Sequence, residues 1–311
     1  MRWEKQGHIF VPDGQAEWMM HYTSPLTTLV LADRFRVFFS TRGLLDEKGN
    51  YETKITFVDL DRENPTHVLD VHVKPILELG EVGTFDEHGT MVAEVVPVQD
   101  QIFMYYMGWQ RAVSNPYTIR LGLAVSRDGI RFQKFSPGPV IGLSPSVPYG
   151  IGNVSVRQVG DEWVMWYTHF TAWHRAGNRY SPQYDLRRAS SSDGIQWTFH
   201  GSVIEPAFPG EALATPSVLI RDGVYHMWFS HRSSEDYAAG NGSYRIGYAR
   251  SEDGEHWQRQ PEGGVDVSSA GWDQEMTCYP DVHEVDGQLL MFYCGNGFGR
   301  SGFGWALAYE D

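Results

Sequence analysis

The sequence repeats one pattern, Ser-x-Asp-Gly-x-x-aromatic, in Gly122-Leu-Ala-Val-Ser-Arg-Asp-Gly-Ile-Arg-Phe132, Arg188-Ala-Ser-Ser-Ser-Asp-Gly-Ile-Gln-Trp197 and Gly247-Tyr-Ala-Arg-Ser-Glu-Asp-Gly-Glu-His-Trp257. Its aspartates, Asp128, Asp193 and Asp253, lie 65 and 60 residues apart. An Asp-Gly pair between two apolar runs predicts a hairpin turn, because glycine accepts the positive φ that such a turn requires. We therefore interpret these aspartates as structural, and we expect the aromatic residue that follows to pack between neighbouring sheets.

A second repeated element precedes these hairpins and consists of a strand, an Asp-containing turn and another strand. Four clear copies and a weaker fifth one occur at 98–106, 159–167, 220–229, 285–293 and 31–39. Repeated units of roughly 50 to 65 residues, each with several short strands, are typical of propeller blades. The sequence therefore predicts an all-β fold, a five-bladed β-propeller with four-stranded antiparallel blades, as a single domain over residues 1–311.

The cellular location is indicated by what the sequence lacks. Cys278 and Cys294 are the only cysteines, and the N-terminus has no apolar segment of the kind found in signal peptides. No run of about 18 apolar residues predicts a membrane span. We expect a cytoplasmic protein in which both thiols are reduced and buried.

The innermost strands of a propeller converge on a central channel, so residues that flank these strands surround one pocket. Alignment of the units assigns two sets of polar and aromatic residues to it. The residues before the inner strands are Tyr22, Ser24, Asp86, Glu87, His88, Asn153, Glu211, Asp273 and Glu275. The residues after the second strands are Arg42, Trp109, His169, His231, Arg232, Asn296 and Arg300.

Four carboxylates in these sets are candidate catalytic groups: Asp86, Glu87, Glu211 and Glu275. Glu211 and Glu275 each stand five residues before a proline that starts an inner strand, which predicts equivalent places in neighbouring blades. A carboxyl group near other carboxylates has a raised pKa, the condition for donating a proton near neutral pH. With aromatic residues that stack on pyranose rings, these groups are the inventory of a carbohydrate site.

The other candidates are predicted to bind substrate: Tyr22, Arg42, Trp109, Asn153, His169, His231, Arg232, Asp273, Asn296 and Arg300. Each type also has a structural interpretation. Carboxylates can cap loops, histidines can be satisfied within loops, Trp109 can belong to the core, and the arginines can form surface ion pairs.

The formal net charge of −14 disfavours a polyanionic partner, and no Lys/Arg cluster of a nucleic-acid binder is present. A neutral or cationic ligand fits this charge better, although a few local arginines could still hold an anionic sugar. No cofactor is expected. Carboxylates and Asn153 offer oxygen ligands for a Ca²⁺ ion, but no spacing pattern requires a metal.

These repeats resemble the five-bladed glycosidase propellers, which include arabinanases, xylosidases, invertases, levansucrases and mannoside phosphorylases. The resemblance covers nearly the whole chain. Four segments look like members found among bacterial surface-polysaccharide biosynthesis proteins: Phe85-Asp-Glu-His-Gly89, Tyr105-Tyr-Met-Gly-Trp109, Gly271-Trp-Asp-Gln-Glu-Met-Thr-Cys-Tyr-Pro280 and Gly295-Asn-Gly-Phe-Gly-Arg-Ser-Gly-Phe-Gly304.

The resemblance implies a first-blade Asp as nucleophile or base and a later-blade Glu as general acid. Glu211 matches the acid, and Asp86 or Glu87 could tune its pKa or act as a base. The matching first-blade segment, His21-Tyr-Thr-Ser-Pro25, has no carboxylate, whereas both hydrolytic routes need two carboxyl groups. A phosphorylase would need the acid and a phosphate site, which Arg42, Arg232 and His231 could supply.

Three functions therefore stay open. The first is a glycoside hydrolase or phosphorylase acting on a small glycan or sugar conjugate. The second is a non-hydrolytic, transferase-like or sugar-binding propeller in surface-polysaccharide biosynthesis. The third is a protein-interaction propeller, which we rank lowest because such propellers use exposed apolar patches rather than converging acids.

Overall fold

The chain folds into four-stranded antiparallel sheets joined by short turns, as a computed structural model of residues 1–176, 179–234 and 242–309 describes. Strands follow one another over nearly the whole length, and α1 (Asn296–Gly299) is the one α-helical segment of the described residues. No helix in this part of the chain is long and apolar enough to cross a membrane. The predicted all-β fold with four-stranded antiparallel sheets is confirmed.

The described strands form five four-stranded groups, which we call blades in chain order. The first blade comprises β2 (Leu26–Val30), β3 (Arg34–Arg42), β4 (Thr53–Asp61) and β5 (Val68–Val71). The second comprises β6 (Gly89–Val98), β7 (Gln101–Arg111), β8 (Tyr117–Ser126) and β9 (Gln133–Lys134). One parallel residue pair, Thr53 with Gly89, joins these two blades into a continuous sheet.

The remaining three blades are separate sheets. The third comprises β10 (Ile151–Val159), β11 (Glu162–Ala176), β12 (Arg179–Ser191) and β13 (Thr198–Ser202). The fourth comprises β14 (Glu211–Arg221), β15 (Val224–Ser233), β16 (Arg245–Ser251) and β17 (Gln258–Val265). The fifth comprises β18 (Cys278–Val285), β19 (Gln288–Cys294), β20 (Phe303–Tyr309) and the N-terminal strand β1 (Arg2–Phe10).

The first strands of the blades surround one axis. Each of β2, β6, β10 and β14 packs against the first strand of the next blade, and β18 packs against β2. The N-terminal strand β1 closes the ring by pairing antiparallel with β20, from the pair Arg2 and Tyr309 to the pair Phe10 and Phe303. The sequence repeats did not predict this use of the N-terminal strand as the outermost strand of the last blade.

The repeated Asp-Gly segments form the turns between the third and fourth strands of three blades. The Asp128 carboxylate accepts hydrogen bonds from the backbone N–H groups of Ile130 and Arg131 at 2.9 and 2.8 Å. Gly129 follows with φ +66°, in the left-handed region that glycine adopts without strain. Asp193 and Asp253 make the same bonds, so the structural interpretation of these aspartates is confirmed.

Aromatic residues of the second strands fill the space between blades. Trp166 of the third blade is fully buried against Met227 and Val218 of the fourth, and its indole N–H donates to the Gly254 carbonyl at 2.7 Å. Tyr105 makes the equivalent bond from the second blade to Gly194 of the third. Such pairs combine a large buried area with a satisfied polar group. Cys278 and Cys294 are opposite each other in β18 and β19, buried and unbridged.

Candidate functional site

A cavity of about 400 Å³ lies on the axis of the ring, because its wall draws residues from all five blades. Aromatic side chains dominate this wall: Tyr51, Trp109, Tyr117, Phe170, Trp173, Tyr180, Tyr184, Tyr244, Tyr279 and Phe298. Polar groups are interspersed among them, including Ser24, Thr53, Asn153, Thr168, Thr215 and two arginines, Arg42 and Arg232. A concave apolar wall with a few placed polar groups is typical of a small-molecule site.

Irregular backbone in the first strands shapes the cavity. The antiparallel register breaks between residues 151 and 154, 214 and 217, and 278 and 281, at the same place in the third, fourth and fifth blades. These bulges bring Asn153, Thr215 and Tyr279 into the wall. Thr215 and Tyr279 have φ values of 52° and 56°, which side chains with a Cβ rarely adopt and which cluster at binding sites.

Arg42 enters the cavity from the second strand of the first blade. Its guanidinium lies over the rings of Tyr22 and Tyr51, with the Cζ atom 4.0 and 4.3 Å from the two ring centroids. The Tyr51 ring in turn packs against the Trp109 ring, with 5.6 Å between the two ring centroids. The Trp109 indole N–H donates to the Thr53 hydroxyl at 2.6 Å. Trp109 is therefore held by this hydrogen bond as well as by its contact with Tyr51.

Arg232 belongs to the part of the wall that the fourth blade provides and is only 2% exposed. Its guanidinium donates to the Pro182 carbonyl at 2.7 Å and to the Tyr184 hydroxyl at 2.8 Å. The Tyr184 and Tyr244 hydroxyls are 3.0 Å apart, and burial raises the pKa of Tyr244 well above its usual range. The Tyr244 phenol therefore stays protonated and presents a hydrogen-bond donor and acceptor without negative charge.

Glu211, the predicted general acid, is fully buried within the fourth blade and does not line the cavity. Its carboxylate binds the Arg259 guanidinium at 2.9 and 3.0 Å and lies 3.0 Å from His231 Nδ1. Burial alone would raise the pKa of Glu211, but the bonds from His231, Arg259 and the Ala207 N–H lower it to about 2. The predicted raised pKa is wrong, because these cationic and N–H donors stabilise the ionised form.

Asp86 and Asp273 make contacts of the same kind in two other blades. The Asp86 carboxylate accepts from the Tyr106 hydroxyl at 3.1 Å and pairs with Lys134 of β9 at 2.6 Å. Asp273 accepts from the Tyr293 hydroxyl at 2.9 Å and pairs with Lys5 of β1 at 2.6 Å. Each carboxylate thus ties the start of a first strand to the outermost strand of its blade. None of these atoms lines the cavity.

Glu211 and Glu275 occupy equivalent backbone positions in neighbouring blades, as predicted, because each lies three residues before the register break of its first strand, at Ala214 and Cys278. Their side chains, however, make different contacts. The counterpart of the Glu211 contact in the fifth blade is Asp273 with Lys5, whereas Glu275 is exposed to solvent. Spacing to the following proline predicted the backbone position, but it carries no information about the partner of the side chain.

The other predicted residues divide between the cavity and its surroundings. Arg42, Trp109, Asn153 and Arg232 line the wall, and Tyr22 supports it through Arg42. Five more do not line it, and one of these is His231, which contacts Glu211. The Glu87 carboxylate accepts hydrogen bonds from the Gln110 side-chain amide and the Gly83 N–H, and His169 Nδ1 lies 3.2 Å from an Asp185 carboxylate oxygen. The Asn296 side chain accepts from the Met276 N–H and donates to the Gly271 carbonyl, which fixes the loop at 271–276. Arg300 is exposed to solvent.

Two carboxylates on the first strands of blades were missed in the sequence. Glu94 of β6 pairs with Arg157 of β10 at 2.6 Å, and Asp281 of β18 lies 2.9 Å from His283. Burial raises the pKa of Glu94 to about 7, although Arg157 lowers it in part. The available signal was a charged residue inside an otherwise apolar inner strand, since such groups are seldom buried without a partner. Glu94 follows Met91, which lines the cavity, by three residues.

The described cavity wall contains no carboxylate. Nor do the residues of the described ranges include any group of three or more His, Cys, Asp or Glu side chains arranged to hold a metal ion.

The chain is similar to other proteins both in sequence and in fold, although no family model matches its sequence. It is 34% identical over 311 residues to the uncharacterised protein Rv1502 of Mycobacterium tuberculosis, and the alignment covers 99% of both proteins. Among solved structures, it is similar to BT0996 in complex with RGII, with a TM-score of 0.72, 18% identity and coverage of 98% of this chain and 90% of that one.

A glycosyl hydrolase from Bacteroides ovatus gives a TM-score of 0.70 at 13% identity, with coverage of 98% of this chain and 89% of that one. At such low identities the likeness concerns the fold. The chain therefore has the glycosidase-like propeller fold that its repeats predicted.

Proposed function

This chain belongs to the family of the Mycobacterium tuberculosis protein Rv1502, and we propose that it is a carbohydrate-active, glycosidase-like propeller that binds a small saccharide or sugar conjugate in its central cavity. The observation that carries the proposal is the cavity wall, in which aromatic rings alternate with amide, hydroxyl and guanidinium groups. Aromatic faces stack on sugar rings and the polar groups bind their hydroxyls. The volume of about 400 Å³ suits a small ligand.

The wall favours binding or transfer over hydrolysis. Retaining and inverting glycosidases both place two carboxyl groups beside the scissile bond. The described wall contains none, and Glu211, Asp86 and Asp273 are engaged within their blades. A sugar-binding or transferase-like activity therefore fits the described residues best.

Glycoside cleavage, by hydrolysis or phosphorolysis, is the second candidate, and Glu94 is the observation that favours it. A buried carboxyl group with a pKa of about 7 is half protonated near neutral pH, as a general acid must be. This candidate requires a ligand or a water that reaches Glu94 beyond the cavity wall.

Calorimetric titration with mono- and disaccharides and nucleotide sugars tests the first candidate. We expect saturable binding that weakens about tenfold in Tyr180→Leu, which removes an exposed ring from the wall. Phe135→Leu, an exposed aromatic outside the cavity, is the control. Failure of every saccharide to bind would overturn the proposal. Release of reducing sugar that Glu94→Gln abolishes would establish the second candidate instead.

The proposal extends to the architecture and setting of the chain. We take residues 1–311 as one domain with five blades, supported by the pairing of β1 with β20. We also propose that the chain is cytoplasmic and acts in surface-polysaccharide biosynthesis, and that it uses no cofactor and binds no nucleic acid.

A further inference from the structure

The cavity wall carries a charge opposite to that of the whole chain. Arg42 and Arg232 are the charged residues of the described wall, so its formal charge is +2, whereas the chain carries −14. A strongly acidic protein repels anions at long range, but that repulsion is screened within about 8 Å at physiological ionic strength. Both charged side chains that line the described wall are therefore cationic.

Arg42 is held in place without using its hydrogen-bond donors. The rings of Tyr22 and Tyr51 fix the guanidinium by stacking. Within the described residues no carboxylate, carbonyl or hydroxyl accepts a hydrogen bond from its side chain, and no ion pair includes it. A stacked guanidinium keeps its planar fork of N–H groups available, and that fork matches the two oxygens of a carboxylate or phosphate.

Asn153 provides a second donor that the protein leaves unused. This residue is 7% exposed, and its Nδ2 atom is buried with no hydrogen-bond partner in the described residues. The indole nitrogen of Trp173, on the same wall, is also buried and unpaired there. Burying an unpaired donor is costly, so such groups in a cavity point to a ligand that supplies acceptors.

We propose that the saccharide bound in the central cavity carries an anionic group, a carboxylate or a phosphate, and that Arg42 and Asn153 bind its oxygens. The inference rests on the proposed function, whose ligand class it specifies. A neutral sugar could accept from Asn153, but it would leave the Arg42 charge uncompensated once the cavity is filled and dehydrated. An anion satisfies the charge and the free donors together.

Calorimetric titration of the full chain with glucose, glucuronate, glucose 1-phosphate and inorganic phosphate separates the possibilities. We expect at least one anionic sugar to bind about tenfold more tightly than glucose, with an affinity that falls as salt is added. Binding of glucuronate alone identifies a carboxylate, and binding of glucose 1-phosphate alone identifies a phosphate.

Substitutions locate the anion. Arg42→Gln is expected to weaken the anionic sugar about tenfold or more and to leave glucose within about twofold. Arg42→Lys restores part of the loss because it keeps the charge without the fork. Arg127→Gln, which removes an exposed arginine outside the cavity, is the matched control and leaves all affinities unchanged.

The outcomes distinguish this inference from the proposal on which it rests. If glucose binds as tightly as both anionic sugars and Arg42→Gln changes neither, the anionic specificity is overturned and saccharide binding survives. If none of the four compounds binds and the panel of mono- and disaccharides and nucleotide sugars also fails, the proposed function falls with it. If inorganic phosphate binds through Arg42 and no saccharide of that panel binds, the anion site is supported and the saccharide proposal is overturned.

Discussion

The Glu211 carboxylate accepts hydrogen bonds from the Arg259 guanidinium on both of its oxygens, at 2.9 and 3.0 Å. These bonds join the first strand of the fourth blade to the last strand of the same blade. The partners are 48 residues apart in the chain. Asp86 with Lys134 and Asp273 with Lys5 repeat the connection in the second and fifth blades. These carboxylates precede or begin first strands, at positions that the sequence assigned to the central site, yet their contacts serve the blades themselves.

Loss of the Glu211 charge should therefore destabilise the fold. Glu211→Gln leaves Arg259 and His231 without their anion, and removal of one partner from a buried pair costs about 3 kcal/mol. Urea denaturation measures the free energy of unfolding. Glu275→Gln, at an exposed position, is the control and should change it by less than about 0.5 kcal/mol. Unchanged stability combined with lost turnover would return Glu211 to a catalytic role.

The same carboxylate predicts sensitivity to acid. The pKa of Glu211 is about 2 in the fold and about 4.3 in an unfolded chain. Because the folded value is the lower one, its stabilisation is complete above about pH 4.5 and is lost as the pH falls toward 2. We expect the urea midpoint to drop over this interval and to drop less in Glu211→Gln. Parallel profiles for the two proteins would contradict the assignment.

Glu94 predicts the opposite dependence at higher pH. Burial raises its pKa to about 7, above the unfolded value of about 4.3. The contribution of protonated Glu94 to the free energy of unfolding is complete below about pH 4.3 and is lost as the pH rises through 7, because the unfolded chain releases the proton more readily. Between pH 5 and 8 the free energy of unfolding should fall in the wild type and stay nearly level in Glu94→Gln. An identical slope in both would show that Arg157 keeps Glu94 ionised throughout.

Turns formed by neighbouring residues were predictable from the sequence, whereas the directions in which the Asp86 and Glu211 side chains point were not. The Asp128 turn follows from residues within three positions of one another, so the sequence alone decides it. The positions of Asp86 and Glu211 beside first strands were also predictable from the repeat. Their orientation depends on Lys134 and Arg259, which lie on outermost strands 48 residues away in each case and follow no motif.

The cavity wall shows the same division. Arg42, Trp109, Asn153 and Arg232 were found because they flank the strands that the repeat defines. Tyr184 of β12 and Tyr244 before β16 were missed, since they come from third-strand segments in which the repeat has no recurring polar position. The pairing of β1 with β20 joins the two ends of the chain and leaves no local signal either.

The contact between the second and third blades can be tested by removing one atom. The Tyr105 hydroxyl is buried and donates to the Gly194 carbonyl at 2.7 Å, across the blade boundary. Tyr105→Phe keeps the ring but leaves that carbonyl without its partner, which should lower the free energy of unfolding by about 1 kcal/mol. Tyr309→Phe, where the ring is 41% exposed, is the matched control and should change little. Equal stability of the two variants in urea would mean that water or a shifted turn replaces the bond, and that packing of the rings alone holds the blades together.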